Sequence, residues 1–249
     1  LFIEHVQGDP FAAPSALRIF VPHSKAKFPE RYYWDKCSKV ALQDALLRRF
    51  AEISAKFCYQ AKGSGKSGVI QVSHCGQEVL ERTACEITKE GIHIRFFVGF
   101  PANGRTINSG ELEKILFVYL PKCVEMSLYH RKVPERETEQ VICLKEDQRV
   151  IREELKKRGL IAFVANGSIL PRQSGNSDLP MKDAVPFQSP KSMEITIQLR
   201  HRGSITGMGI RKGITLIAGG GYHGKSTLLE ALEKGVYDHI AGDGREFVI

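Results

Sequence analysis

No apolar run in this chain reaches the roughly 18 residues that a membrane-crossing helix needs, so the sequence offers no membrane partner. Cysteine is sparse. Cys37, Cys58, Cys75, Cys85, Cys123 and Cys143 never fall two to four apart, which excludes zinc-knuckle spacing. They read as reduced core thiols rather than a disulfide framework. His5, His23, His74, His93, His130, His201 and His239 form no i, i+4 pair of histidines, so a helix-borne two-histidine metal site is excluded. The opening stretch "LFIEHVQGDPFAAPS" lacks a basic segment followed by an apolar one, so no secretory signal is visible. It begins on Leu1, which fits a processed or trimmed start. Acids are the minority charge: 28 Asp and Glu against 36 Lys and Arg, net +8. That balance favours a polyanionic partner through counterion release, and equally fits a mildly basic solvated surface.

What is present is ordinary for a globular chain of 249 residues, with 42% hydrophobic and 26% charged positions. The length suits one large domain or two modest ones. Val40, Leu42, Leu46, Leu47, Phe50, Ile53 and Phe57 make an apolar stripe, so Lys39 to Gln60 reads as a helix. "VIQVSH" reads as a strand, "ACEITKEGIHIRFFVGF" as a hairpin about Glu90-Gly91, and "GELEKILFVYL" as a helix. "EDQRVIREELKKRG" is a helix with basic residues in its last turn and Gly159 as its stop. "LIAFVANG" reads as a fully apolar strand. Leu170 to Pro190 is rich in Pro, Ser, Gly, Asn and Asp and reads as a long linker, so a boundary is expected near residue 185. "MEITIQL" and "ITLIAGG" beyond it read as strands, with a basic turn of Gly203, Gly207 and Gly209 between them. The expected fold class is α/β with α+β elements in the N-terminal part. Residues 1–185 would form a mixed domain, and 186–249 would start a nucleotide-binding core.

The stretch "LIAGGGYHGKST" carries chemistry. Gly219, Gly224, Lys225 and Ser226 satisfy G-x-x-x-x-G-K-[ST]. Glycines let consecutive amides turn inward around a phosphate, Lys225 reaches the β- and γ-phosphates, and the Ser226 hydroxyl sits on Mg²⁺. The expected nucleotide site is Gly219, Gly220, Gly221, Tyr222, His223, Gly224, Lys225, Ser226 and Thr227. A helix is expected to follow, with Leu228, Leu229 and Leu232 inward, so that its N-terminus adds its dipole to the site. "KGSGKSG" mimics the end of such a loop, but Gln60 stands where glycine is needed and a helix precedes it. It reads as a flexible basic turn, or as a contact of Lys62 and Lys66 with nucleic-acid phosphates. Hydrolysis also needs an acid at the end of a second apolar strand. After Ser226 the acids are Glu230, Glu233, Asp238, Asp243 and Glu246, and none follows four apolar residues. Catalytic acids therefore go unassigned. Phe187 is a guess for stacking on the base. No N-K-x-D motif fixes the base, so GTP stands as a formal alternative.

The chain resembles the ATPases of the ABC class. The likeness rests on "GDPFAAPS", "GSGKSG", "GQEVLERTA", "PANGRTI", "EDQ", "GLIAFVANGSILPRQSG", "GMGI" and "GITLIAGGGYHGKSTLLEALEKGVYDHIAGDGRE". It implies ATP and Mg²⁺ as ligands, ADP as product, and a head-to-tail homodimer. It also implies Walker B acids and a signature segment beyond Ile249. Many relatives have aspartate where Asn166 stands and proline where Ala241 stands. One eukaryotic branch resembles a mitochondrial ATPase tied to RNA editing in kinetoplastids. That implies RNA as partner and a mitochondrial location, the cytoplasm being the alternative. Three functions stay open: a nucleotide-driven clamp on RNA or DNA, a nucleotide-dependent switch on protein partners, and a binding module without turnover.

Overall fold

The computed structural model describes residues 1–249 as two compact units, Leu1–Cys75 with Glu81–Thr138, and Gly76–Leu80 with Glu139–Ile249. The architecture is mixed α/β, as the sequence indicated.

The first unit is a sheet backed by helices. Strands β1 (Phe2–His5), β2 (Ser15–Pro22), β3 (Ile70–Gln71), β4 (Cys85–Ile87) and β5 (Gly91–Val98) form a five-stranded antiparallel sheet. Its order is β1-β2-β5-β3, with β4 also on β5. Helix α1 (Lys36–Ala55) buries Leu42, Leu46, Leu47, Phe50 and Ile53, positions three to four apart on one face. Asp35 starts it by accepting from the amides of Cys37 and Ser38 at 2.8 and 3.0 Å, a cap worth about 1 kcal/mol. Phe50 meets Phe96 of β5 at 5.3 Å between ring centroids. Burial of each such large side chain contributes about 1.5–3 kcal/mol. Helix α2 (Ser109–Lys114) passes through a π-turn, Ile115–Tyr119, into α3 (Leu120–Leu128), which packs on α1.

The second unit is a three-layer stack. Helix α4 (Glu135–Arg158) enters it at Glu139 and ends at Gly159, whose φ of 65° is a left-handed conformation that a Cβ disfavours. Strands β6 (Leu160–Ala165), β7 (Glu194–Gln198) and β8 (Ser204–Arg211) form an antiparallel sheet ordered β7-β8-β6. The chain's last residues line β6: the Phe163 amide donates to the Ile249 carbonyl at 2.6 Å, and the Ile249 amide donates to the Phe163 carbonyl at 2.9 Å. Phe163, Ala165 and Ile197 pack with Ile151 and Leu155 of α4 on one side. Val164, Met208 and Ile210 pack on the other with Ala231 of helix α5 (Lys225–Lys234).

Three expectations differ from what is observed. Residue 185 lies inside the second unit, because Leu170–Pro190 is stitched to the sheet rather than free. Residues Arg172–Ser174 and Ser177–Pro180 form a hairpin, and the backbones of Phe187 and Ser168 bond at 2.8 Å. The basic turn is confined to Arg200–Gly203, while Gly207 and Gly209 lie within β8. "ITLIAGG" forms no strand: residues 214–220 pair with no neighbour, and Ile214 and Leu216 are fully exposed. Apolar patterning alone does not make a strand where no edge satisfies its amides and carbonyls.

Candidate phosphate-binding loop

Helix α5 begins without a side-chain cap. Its N-cap is Gly224 at φ 77°, ψ 11°, left-handed backbone followed directly by right-handed helix, the alternation that turns successive amides to one side. The first intrahelical bond runs from the Leu228 amide to the Gly224 carbonyl at 2.9 Å. The amides of Lys225, Ser226 and Thr227 thus precede the helix ladder and carry its positive dipole end.

The loop ahead of the helix is folded back on itself. The Lys225 ammonium donates to the Gly219 carbonyl at 2.8 Å and to the Gly220 carbonyl as well. The Gly220 amide donates to Nδ1 of His223 at 3.1 Å, which makes Nδ1 the acceptor and puts the ring proton on Nε2. His223 is thereby a brace inside the loop. Tyr222, at φ 61°, is fully exposed. Ser226 is exposed beside Lys225. Gly219–Thr227 thus supplies backbone amides, one ammonium and one hydroxyl within a single loop, a donor set whose chemistry fits a magnesium-bound polyphosphate.

The helix is fixed from below. Ala231 is buried, and Leu228 and Leu232 pack against the β6–β8 face, whereas Leu229, expected inward, is exposed. A helix has room for one inward stripe, and Ala231 takes the place that Leu229 was given. The far end of α5 is held by ions. Arg152 donates to the Gly235 carbonyl at 3.1 Å and pairs with Asp238 at 2.9 Å, and Lys145 also pairs with Asp238. Asp243 is completely buried, between Arg172 at 2.8 Å and His239 at 2.7 Å. Asp238 and Asp243 are therefore engaged in the scaffold. This ion network went unread in the sequence, although His239 and Asp243 stand four apart.

The structure settles other expected positions. In "KGSGKSG" the amides of Ser64, Lys66 and Gly68 donate to the carbonyls of Ala102, Pro10 and Gly99 at 2.7, 2.8 and 2.9 Å. They have none left for a phosphate, so the segment is a packed turn and not a flexible one. The Lys62 and Lys66 side chains are exposed, away from the Gly219–Thr227 loop in sequence and in a different unit. Asn166 accepts from the Ser189 amide at 2.7 Å and donates to Glu194 at 2.9 Å. An aspartate there could not donate, so the asparagine acts as a pin. Phe187 packs against the β6–β8 core. Ala241 is an exposed turn residue.

A family model described as "ATPase of the ABC class N-terminal" matches residues 1–131, and a model for a P-loop domain of that class matches residues 134–249. The chain belongs to the ATPases of the ABC class. An uncharacterized protein of Methanocaldococcus jannaschii is 36% identical over 115 residues, covering 41% of this chain. The chain spans about a quarter of that relative's length, 25%. The match to the ABC class places the Gly219–Thr227 loop within a P-loop domain.

Proposed function

We propose that the protein is an ATPase that binds Mg·ATP at Gly219–Thr227 and uses it to drive a homodimeric clamp on RNA. The observation that carries the nucleotide part is the uncapped N-terminus of α5 with the Lys225 ammonium folded across the loop. In this reading the amides of Gly221 to Thr227 line the phosphate chain. Lys225 transfers its ammonium from the Gly219 and Gly220 carbonyls toward the β- and γ-oxygens, and Ser226 gives its hydroxyl to the metal. Ser226 would hold Mg²⁺, and the ion would supply positive charge against the phosphates. RNA as partner is supported by the net charge of +8. Mitochondrial RNA editing is the narrowest form of this reading.

A phosphate-release assay and sedimentation, each with and without Mg·ATP, test it together. ATP-dependent dimerisation and RNA-stimulated phosphate release are expected, and both disappear in Lys225→Ala. Turnover without any change in sedimentation or RNA response would favour the switch on protein partners.

A further inference from the structure

The inner face of the first unit's sheet is covered by α1, but its outer face is open. On β5, Ile92, Ile94, Phe96 and Val98 point inward, leaving His93, Arg95 and Phe97 outward. On β2, Leu17, Ile19 and Val21 point inward, leaving Ala16, Arg18 and Phe20 outward. The register sets Ala16 opposite Phe97, Arg18 opposite Arg95, and Phe20 opposite His93, with Phe2 of β1 beside Arg18. Leu, Ile and Val are missing from the outer side of both strands. It presents flat π surfaces and guanidinium planes instead, with Phe97 47% and Phe2 49% exposed.

Two arginines directly opposite each other on neighbouring strands repel, which a fold selected for stability alone avoids. Here each is steadied by one carboxylate, Arg18 by Glu4 at 2.7 Å and Arg95 by Glu86 at 2.5 Å. The His93 imidazole feels the result: partial burial, then Arg18 and Arg95, lower its pKa, with Glu86 and Glu90 opposing. At the Phe97 end of the sheet stands the packed turn of residues 63–68. Phe11, 68% exposed, lies beside Gly65, and the Lys62 and Lys66 ammonium groups are in no ion pair.

We infer that this open sheet face binds single-stranded nucleic acid, with bases stacked on Phe97 and Phe11 and backbone phosphates on Lys62 and Lys66. Stacking needs unpaired bases, because a flat sheet cannot reach base faces inside a duplex. The inference rests on the nucleic-acid part of the reading above and gives it a surface in a different unit from the phosphate loop. Phe97 lies on the solvent side, so its removal leaves the core intact.

Fluorescence anisotropy of a labelled oligouridine of about 12 nucleotides, with the full chain and no nucleotide present, tests this. Phe97→Ala should weaken binding about 5- to 150-fold, the range for loss of one base stack, and Phe97→Tyr should restore it. The double variant Lys62→Ala/Lys66→Ala should weaken binding and flatten the log-log salt slope by about 1.4, for two phosphates. Binding that ignores both the Phe97 and the lysine variants overturns the sheet-face inference while RNA remains a partner. A lack of binding at low salt overturns both and leaves nucleotide binding untouched.

Discussion

Glu146 and Asp147 show how single carboxylates organise the second unit. Asp147, buried, accepts from the amides of Arg200, His201 and Arg202 at 3.0, 2.9 and 3.2 Å, holding the turn between β7 and β8. Glu146 beside it pairs with His201 at 2.7 Å and Arg200 at 3.1 Å. The hydrogen bond from His201, then that from Arg200, holds the Glu146 carboxyl below its ordinary value of 4.5, against the opposing effect of burial. The folded-state pKa is depressed, so this stabilisation is present above pH 4.5 and is lost as pH falls through the folded value. Glu146→Gln should therefore lower the melting temperature at pH 7, by a margin that shrinks as the pH is taken below 4.5. Thermal unfolding followed by circular dichroism across that pH range checks this.

At the scale of elements, β8 depends on having no side chain at Gly207. A Cβ there would fall on the Val164 carbonyl oxygen of β6 and within 2.8 Å of the Phe163 ring, and the opposing backbone cannot yield without breaking the ladder. Gly207→Ala should cost about 1–3 kcal/mol by overpacking, read as a lower urea midpoint at unchanged slope. Most elements were legible because their patterns agreed with their stops: the apolar stripe of residues 40–57 for α1, and the basic last turn with Gly159 for the end of α4. What went unread was tertiary. Gly207 and Gly209 look like turn residues until a neighbouring strand is seen to press on them. The apolar segment from Ile214 looks like a strand until its missing partners are counted. Leu170–Pro190 looks like a linker because composition does not reveal the backbone bonds that tether it to Ser168 and Asn166. The P-loop domain was legible from the Gly219–Ser226 pattern, since such a loop demands fixed residue types at fixed spacing. The ion network below α5 was not, as it joins Lys145, Arg152, Arg172, Asp238 and Asp243 from distant parts of the sequence.

For the whole molecule, the two surfaces proposed for binding fall in different units: the Gly219–Thr227 loop after β8, and a π-rich sheet face in the first unit. Membership in the ABC class covers both units, through separate family segments of residues 1–131 and 134–249. A clamp driven by ATP stands first of all on nucleotide occupancy of the loop. Isothermal titration of Mg·ATP into the folded chain, in parallel with Lys225→Ala, measures that occupancy. Saturable binding is expected, weakened at least about 100-fold in the variant, or about 2.7 kcal/mol, while both proteins melt alike. A chain that is folded yet releases no saturable heat, or a Lys225→Ala variant that binds as tightly as the original, would contradict it.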